Sequence, residues 1–126
     1  MERVTGQNLG DYLAEHVFKP LGITAEGATF FPPKEAQKNL AHMHQRDPEG
    51  NLKEREHFFK APLSQSTKEQ QDKFFQSSGA GLWTKPKEYV KILAALLNDG
   101  KSPTTGGTIL KKETVDSLWE NQIPNQ

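Results

Sequence analysis

The sequence predicts a mainly helical α+β fold with one small β-hairpin, and three patterns support this prediction. In the segment 86–97, apolar residues recur at the spacing of one helix face, which indicates a long amphipathic helix. A shorter run with the same spacing begins at Leu9. Between the two runs, the sequence DPEG at 47–50 has the residue order of a type I turn and separates two short polar segments.

The composition fits at most one domain and argues against several classes of function. The chain has 126 residues, and its 16 basic and 16 acidic side chains give a formal net charge of zero. A nucleic-acid or anionic-membrane surface would need an excess of basic residues, and no apolar run is long enough to span a bilayer. The chain has no cysteine, so disulfides and thiolate metal sites are excluded, and we expect no cofactor. No signal-peptide core is present at the N-terminus, so the cytoplasm is the default for a compartment that the sequence does not assign.

Apolar residues are scarce for an isolated domain and are concentrated near the two ends of the chain. They make up 33% of the residues, and the mean hydropathy is −0.78. A small domain buries only about 60–70% of its surface on folding, so it needs these residues to be well placed. Two interpretations remain open. The chain is a piece of a larger fold with a shared core, or it is a small, marginally stable domain with a flexible middle.

The segment 1–23 is predicted to form helix and turn. A first short helix ends at Gly6, because glycine tolerates the left-handed conformation after a helix. Asn8 is a suitable N-cap for the next helix, and Asp11 three residues later completes a variant of the capping box. Pro20 disfavours helical geometry at the preceding residue and therefore ends this helix.

The segment 24–78 is predicted to be a polar insert that contains a hairpin at about 40–57. The residues after the turn are mostly charged, as is common in a strand at the edge of a sheet. The run 64–73 is polar and has no periodicity. It is either a surface loop or a short helix capped by Ser66 or Thr67.

Two helices are predicted in 79–126, and we expect 1–126 to be a single partial domain. The first of these helices ends at Gly100, and we expect Thr84 to be its N-cap, with Pro86 at the second helical position. Its continuous apolar stripe consists of Tyr89, Ile92, Leu93, Leu96 and Leu97. The last helix, 112–120, is predicted to have Val115, Leu118 and Trp119 on its inner face.

Three stretches of the chain resemble, in the same order, segments of the serine β-lactamase-like family. This family comprises class C β-lactamases, penicillin-binding DD-peptidases, and their esterase and acyltransferase relatives. The stretch ERVTGQNLGDYLAEHVFKPLGIT resembles the segment after the family's catalytic tyrosine, and SSGAGLWTKPKEYVKILAALLNDG resembles its Gly-Gly-Leu-x-Ser-Thr segment. The stretch GGTILKKETVDSLWENQIP resembles a later segment. The resemblance implies the helical-subdomain portion of a β-lactamase/transpeptidase-like fold.

The resemblance also implies acyl-enzyme chemistry, yet the family's catalytic motifs are absent from this sequence. Family members use Ser-x-x-Lys, in which the lysine takes the serine proton, together with Tyr-x-Asn and Lys-Thr-Gly or a variant of it. No serine here has a lysine three residues later, neither tyrosine begins Tyr-x-Asn, and neither Lys-Thr-Gly nor His-Thr-Gly occurs. We therefore predict no catalytic residue and interpret the chain as an internal fragment of a serine hydrolase or acyltransferase. Such a parent would act on an ester, amide or β-lactam, and the GAGL sequence and polar insert resemble the esterase and acyltransferase branch.

The resemblance points to one substrate-binding segment. In the family, the residues just before the glycine-rich segment approach the substrate cleft, and here these residues are Phe75, Gln76, Ser77 and Ser78. The alternative is that the small residues only make a tightly packed turn.

Two further groups of residues have a possible chemical role and a simpler structural explanation. His42 and His44 alternate on one strand face and could bind a metal with His57, but a surface strand is the better explanation and we predict no metal site. Trp83 and Trp119 could stack on a ligand, although core packing is the more ordinary role of tryptophan.

A second hypothesis is that the chain is a stand-alone, non-catalytic helical module. It would bind a partner or dimerise through the surface that a missing half would cover, because exposed apolar patches commonly mark interaction sites. Under the first hypothesis the partner is the remainder of a β-lactamase-like domain, and a small acyl substrate binds only to the completed domain. Neither hypothesis includes a nucleic-acid or membrane partner.

Overall fold

The computed structural model describes residues 1–58 and 60–123. Phe59 and residues 124–126, including Pro124 at the predicted end of the last helix, lie outside the described residues. In chain order, the α-helices are α1 (Glu2–Thr5), α2 (Leu9–Leu13), α3 (Lys34–Gln37), α4 (Lys68–Asp72), α5 (Pro86–Leu96) and α6 (Lys112–Leu118). The strands are β1 (Ala28–Thr29), β2 (Met43–Arg46), β3 (Leu52–Arg55) and β4 (Trp83–Thr84).

The described elements confirm a mainly helical α+β fold with a small hairpin. Strands β2 and β3 form the antiparallel hairpin, in which Met43 is opposite Arg55 and Arg46 is opposite Leu52. Strands β1 and β4 form a second two-stranded sheet. The chain divides into two compact units, unit 1 (Met1–Ala28 and Thr84–Gln126) and unit 2 (Thr29–Trp83). None of the described helices is both long enough and apolar enough to cross a membrane.

At the N-terminal end of unit 1, the predicted helix end at Gly6 and the predicted cap at Asn8 are confirmed. Gly6 ends α1 with a φ of 72°, and the Asn8 side chain caps α2 by accepting a hydrogen bond from the Asp11 N–H at 2.9 Å. After α2 the chain makes one π-helical turn, Ala14–Phe18, so the helix ends before Pro20 as predicted. The predicted cause is wrong, because Lys19, the residue before the proline, keeps helical angles of φ −59° and ψ −47°.

The core of unit 1 is a small set of buried apolar side chains from its helices and connecting turns. Leu21, in the turn after the π-helical segment, and Ala95, in α5, are fully buried. The other members are Leu9, Phe18, Ile23, Ala28 and Val115. Each large aliphatic side chain buried in this way contributes roughly 1.5–3 kcal/mol of hydrophobic stabilisation.

Polar contacts attach α5 to the turn that follows the π-helical segment. Lys91 Nζ donates a hydrogen bond to the Gly22 carbonyl at 2.8 Å and forms an ion pair with the Glu88 carboxylate at 2.5 Å. The hydrogen bond from Lys91 lowers the pKa of Glu88 and thus favours the charged form of the carboxylate that Lys91 binds.

The loop that follows α5 lies directly against the same turn. Thr105 Oγ1 donates a hydrogen bond to the Pro20 carbonyl at 2.5 Å. A Cβ added at Gly107 would lie 2.2 Å from the Pro20 carbonyl oxygen, so only glycine allows this approach. Helix α5 ends at Leu96 with Leu97 as its C-cap, so the predicted end at Gly100 is four residues too late. Gly100 lies in the following turn with a φ of 81°, and a Cβ there would lie 2.2 Å from the Leu110 carbonyl oxygen.

The predicted cap of α5 is wrong. Lys85 is the N-cap and makes no side-chain capping hydrogen bond, and Pro86 is the first helical residue. Thr84 is in β4 instead, where its Oγ1 donates a hydrogen bond to the Gly27 carbonyl at 3.0 Å. The hydroxyl therefore hydrogen bonds to a backbone carbonyl that is 57 positions away in the sequence. A capping rule that considers only neighbouring residues cannot predict this contact.

The predicted inner face of α6 is only partly correct. Val115 is buried, but Leu118 is exposed and Trp119 has 68% of its surface exposed. The helix ends at Leu118 and Trp119 is its C-cap, so helical spacing does not determine the environment of the tryptophan. The buried cluster of unit 1 therefore reaches α6 only at Val115.

Helix α5 has apolar side chains on two neighbouring sides, and only one side is covered by the described residues. Ala95 is fully buried, and Ile92 and Leu96 are half-buried on the same side. Tyr89, Leu93 and Leu97, spaced four residues apart, have exposed fractions of 48%, 45% and 81%. We call these three residues the open stripe of α5.

Unit 2 has its own small core and well-defined local structure. Its buried residues among those described are Phe30, Pro32, Pro62, Gln76 and Gly81. The run 64–73 contains the short helix α4, and Thr67 caps it in a full capping box with Gln70. The DPEG turn closes through a 2.9 Å hydrogen bond from the Gly50 N–H to the Asp47 carbonyl, which confirms the predicted hairpin.

The glycines of unit 1 provide a test of the close backbone contacts. Gly100 and Gly106 both have positive φ, but only Gly100 lies against another backbone segment. We expect Gly106→Ala to reduce the free energy of unfolding by about 1–2 kcal/mol and Gly100→Ala to reduce it by about 3 kcal/mol or more. Urea unfolding followed by circular dichroism measures both variants, and equal losses would contradict the close approach of Gly100 to Leu110.

Candidate functional site

The segment that the sequence assigns to substrate binding leads into a tight turn of unit 2. The Gly81 N–H donates a hydrogen bond to the Ser77 carbonyl at 2.8 Å. Gly81 is buried, and a Cβ there would lie 2.8 Å from the Ser77 oxygen and 3.3 Å from the Phe30 ring. This turn therefore requires glycine at position 81, and it determines the direction in which the preceding residues point.

The four residues of the predicted site differ in their accessibility. Phe75 has 81% of its surface exposed, whereas Gln76 has only 7% exposed and its side chain is engaged within the protein. Ser77 is half-buried and Ser78 is exposed. Of the four, Phe75 and Ser78 are the side chains that a ligand could reach directly.

An aromatic slot in unit 2 contains part of the predicted site. Phe75, Gln76 and Ser77 line it, and the other members are Phe30, Phe31, Pro62, Phe74 and Gly81. The Phe31 and Phe74 rings meet edge to face with their centroids 6.0 Å apart. The free space is about 10 Å³, which is room for a single water molecule. The slot is therefore filled by its own side chains, and Phe75 continues from it to the surface.

The histidines of the hairpin are engaged in pairwise contacts. His42 Nδ1 contacts the Glu54 carboxylate, and this hydrogen bond, followed by the charges of His42 and His44, lowers the pKa of Glu54. The His57 ring meets the half-buried Trp83 ring edge to face, with centroids 4.8 Å apart. Among residues 1–58 and 60–123, no group of three or more His, Cys, Asp or Glu residues is arranged to hold a metal ion.

The structure contains a larger cavity that the sequence did not predict. It is a groove of about 620 Å³ in unit 2, between the end of α3, the hairpin and the 3₁₀-helix Ala61–Ser64. Its lining residues lie up to 26 positions apart in the sequence, so no local motif contains them all. The one sequence signal for it was the cluster of charged and histidine residues around the hairpin.

Comparisons with known proteins agree on one family. A family model described as Beta-lactamase matches residues 1–125. Among solved structures, the chain is similar to a simvastatin synthase (LovD) from Aspergillus terreus, in the form of the LovD6 mutant, with 28% identity and a TM-score of 0.68. The match covers 97% of this chain and 27% of that chain, so this chain spans about a quarter of the synthase. No curated protein matches the sequence.

Two glycines of the site segment form a matched pair for a test of the turn. A Cβ at Gly81 meets backbone atoms, whereas a Cβ at Gly79 has no atom within 4 Å. We expect Gly81→Ala to destabilise unit 2 by roughly 1–3 kcal/mol through overpacking, and Gly79→Ala to change its stability by less than about 1 kcal/mol. Amide hydrogen exchange of unit 2 measures both effects, and equal protection in the two variants would contradict the tight turn.

Proposed function

Because the chain belongs to the β-lactamase family, we propose that it is an internal portion of a serine hydrolase or acyltransferase domain. In this proposal the chain is catalytically incomplete alone, and it contributes part of the helical subdomain and one wall of the substrate cleft. The observation that carries the proposal is a family match across residues 1–125 of a chain in which Ser-x-x-Lys does not occur. The nucleophile and its base therefore come from other polypeptide.

The relation in length supports the same proposal. The match to simvastatin synthase uses nearly all of this chain but only 27% of that chain. The remaining three quarters of such a fold are where a nucleophilic serine, its lysine and the tyrosine would be found. The name of the matched protein describes a synthase rather than a hydrolase, which favours the acyl-transfer branch for this chain.

The exposed apolar surface of unit 1 favours the interpretation that the partner of this chain is the remainder of such a domain. The open stripe of α5 leaves Tyr89, Leu93 and Leu97 in contact with water on a helix whose other apolar side is buried. Covering these side chains would contribute roughly 25 cal/mol for each Å² of apolar surface removed from water. The remainder of a β-lactamase-like domain would supply that cover.

The completed site would carry out acyl-enzyme chemistry. A serine attacks the carbonyl of an ester, amide or β-lactam, and a neighbouring lysine takes the serine proton. In this chain, Phe75 and Ser78 are the exposed members of the segment that we assign to the cleft wall. Phe75 would contact an apolar part of the acyl substrate, and Ser78 would offer a hydroxyl for a hydrogen bond.

Labelling with serine-directed reagents tests this proposal. We expect that neither a fluorophosphonate nor a fluorescent penicillin labels the folded chain, because no base activates any of its serines. An active β-lactamase is the positive control, and acid-denatured chain is the negative control. Stoichiometric labelling of one serine would contradict the proposal. The variants Ser77→Ala and Ser78→Ala would then show whether one of these two hydroxyls reacts.

A second candidate function is a stand-alone module that dimerises, and the open stripe of α5 is the observation that favours it. If the stripe is a dimer interface, the chain alone should unfold cooperatively and sediment as a dimer. We then expect Leu97→Asp to give a monomer, because a carboxylate would be desolvated in the interface. Val4→Asp is the control, since Val4 is also exposed but lies on α1. If the unsubstituted chain sediments as a monomer, this function is excluded.

A further inference from the structure

The groove in unit 2 has the form of a small-molecule site. Its volume of about 620 Å³ lies within the range of roughly 300–1,000 Å³ that is usual for ligand pockets. Three apolar side chains, Leu40, Met43 and Leu63, line it and are half-buried. Charged side chains and two histidines surround them. An apolar surface with polar groups around it can bind a ligand that has an apolar part and a polar or charged group.

The two sides of the groove are joined by hydrogen bonds. The side-chain amide of Gln37, at the end of α3, donates to the Pro32 carbonyl at 3.0 Å and to the Leu63 carbonyl at 2.8 Å. Gln37 therefore connects α3 to the 3₁₀-helix on one side. On the other side, the register that places Met43 opposite Arg55 is set by the hairpin. The groove is thus formed before any ligand arrives.

The two carboxylates that line the groove both have basic partners. Glu54 contacts His42, and Glu56 forms an ion pair with Lys60. The charge of Glu56 is therefore matched by Lys60, and Glu54 is held in a hydrogen bond with His42. The described lining as a whole has three cations, Lys38, Arg55 and Lys60, and two carboxylates.

Two cations in the lining have no such partner. In the described part of the chain, neither Lys38 nor Arg55 forms an ion pair with a carboxylate. Arg55 is half-buried, and its Cζ lies 3.8 Å from the centroid of the Phe58 ring, which restrains the guanidinium by a cation–π contact. The groove therefore has an excess of positive charge, and one of the two cations is held in place.

We propose that this groove binds a small organic acid with an apolar body. The carboxylate would accept hydrogen bonds from Lys38 and Arg55, and the body would lie against Leu40, Met43 and Leu63. Arginine suits this role because its planar guanidinium can donate two parallel hydrogen bonds to one carboxylate. This site is separate from the predicted cleft segment 75–78, and it does not depend on the acyl-enzyme proposal.

A pair of isosteric ligands tests the proposal. ¹⁵N-labelled full-length chain is titrated with hydrocinnamate and, separately, with the neutral hydrocinnamamide, and amide chemical shifts are followed by NMR. We expect shifts in 37–43 and 54–63 with hydrocinnamate, and about tenfold weaker binding of the amide because it lacks the charge-assisted hydrogen bonds. Equal affinity for the two ligands, shifts confined to other segments, or no shifts would each overturn the proposal.

Lys34, the first residue of α3, and Lys38, its C-cap, provide matched variants for the same titration. Lys38→Gln removes a cation from the groove lining, whereas Lys34→Gln removes one from the start of the same helix, outside the lining. We expect Lys38→Gln to weaken hydrocinnamate binding about threefold and to leave hydrocinnamamide binding unchanged, as for an exposed ion pair. Lys34→Gln should change neither. Identical hydrocinnamate affinities in the two variants would contradict the assigned orientation of the carboxylate.

Discussion

Helix α5 has more apolar surface than unit 1 covers. Both the fold of unit 1 and the expectation of a partner depend on this excess. Its covered side includes Ala95, which is fully buried, so unit 1 can fold around it. Its open stripe remains partly in water, so Leu93 and Leu97 realise only part of the roughly 1.5–3 kcal/mol that full burial of a leucine contributes. The covered side accounts for the fold of unit 1, and the open side is the reason to seek a partner for the chain.

The covered side depends on backbone segments that approach one another more closely than side chains would allow. Gly107 against Pro20 brings the loop after α5 onto the turn before Leu21, and Gly100 against Leu110 brings the two ends of that loop together. With few large buried residues, unit 1 relies on these contacts and on Lys91, which hydrogen bonds to the Gly22 carbonyl. A small core is thus compensated by specific backbone contacts, as expected for a chain with a low apolar fraction.

The sequence predicted those features that depend on residues close together in the chain. The cap at Asn8 and the turn after Asp47 were predicted because each involves contacts within four residues, and for the same reason Thr67 was among the alternatives for the run 64–73. The cap of α5 was predicted wrongly because Thr84 hydrogen bonds to Gly27, 57 positions away. The exposure of Trp119 was missed for a related reason, since burial depends on which distant residues are available to cover a side chain. For the same reason, a sequence pattern could nominate residues 75–78 but could not tell exposed Phe75 from buried Gln76.

Net charge is a poor guide to what a particular surface of this protein can bind. The whole chain has a formal net charge of zero, yet neutrality over 126 residues does not require neutrality within one groove. The antiparallel register places His44 opposite Glu54 and leaves His42 diagonal to it, close enough to contact the carboxylate. Once such contacts have satisfied the acidic groups, the remaining cations determine the local potential. Which charges remain is decided by the register and by long-range packing, so this property belongs to the fold and cannot be obtained from composition.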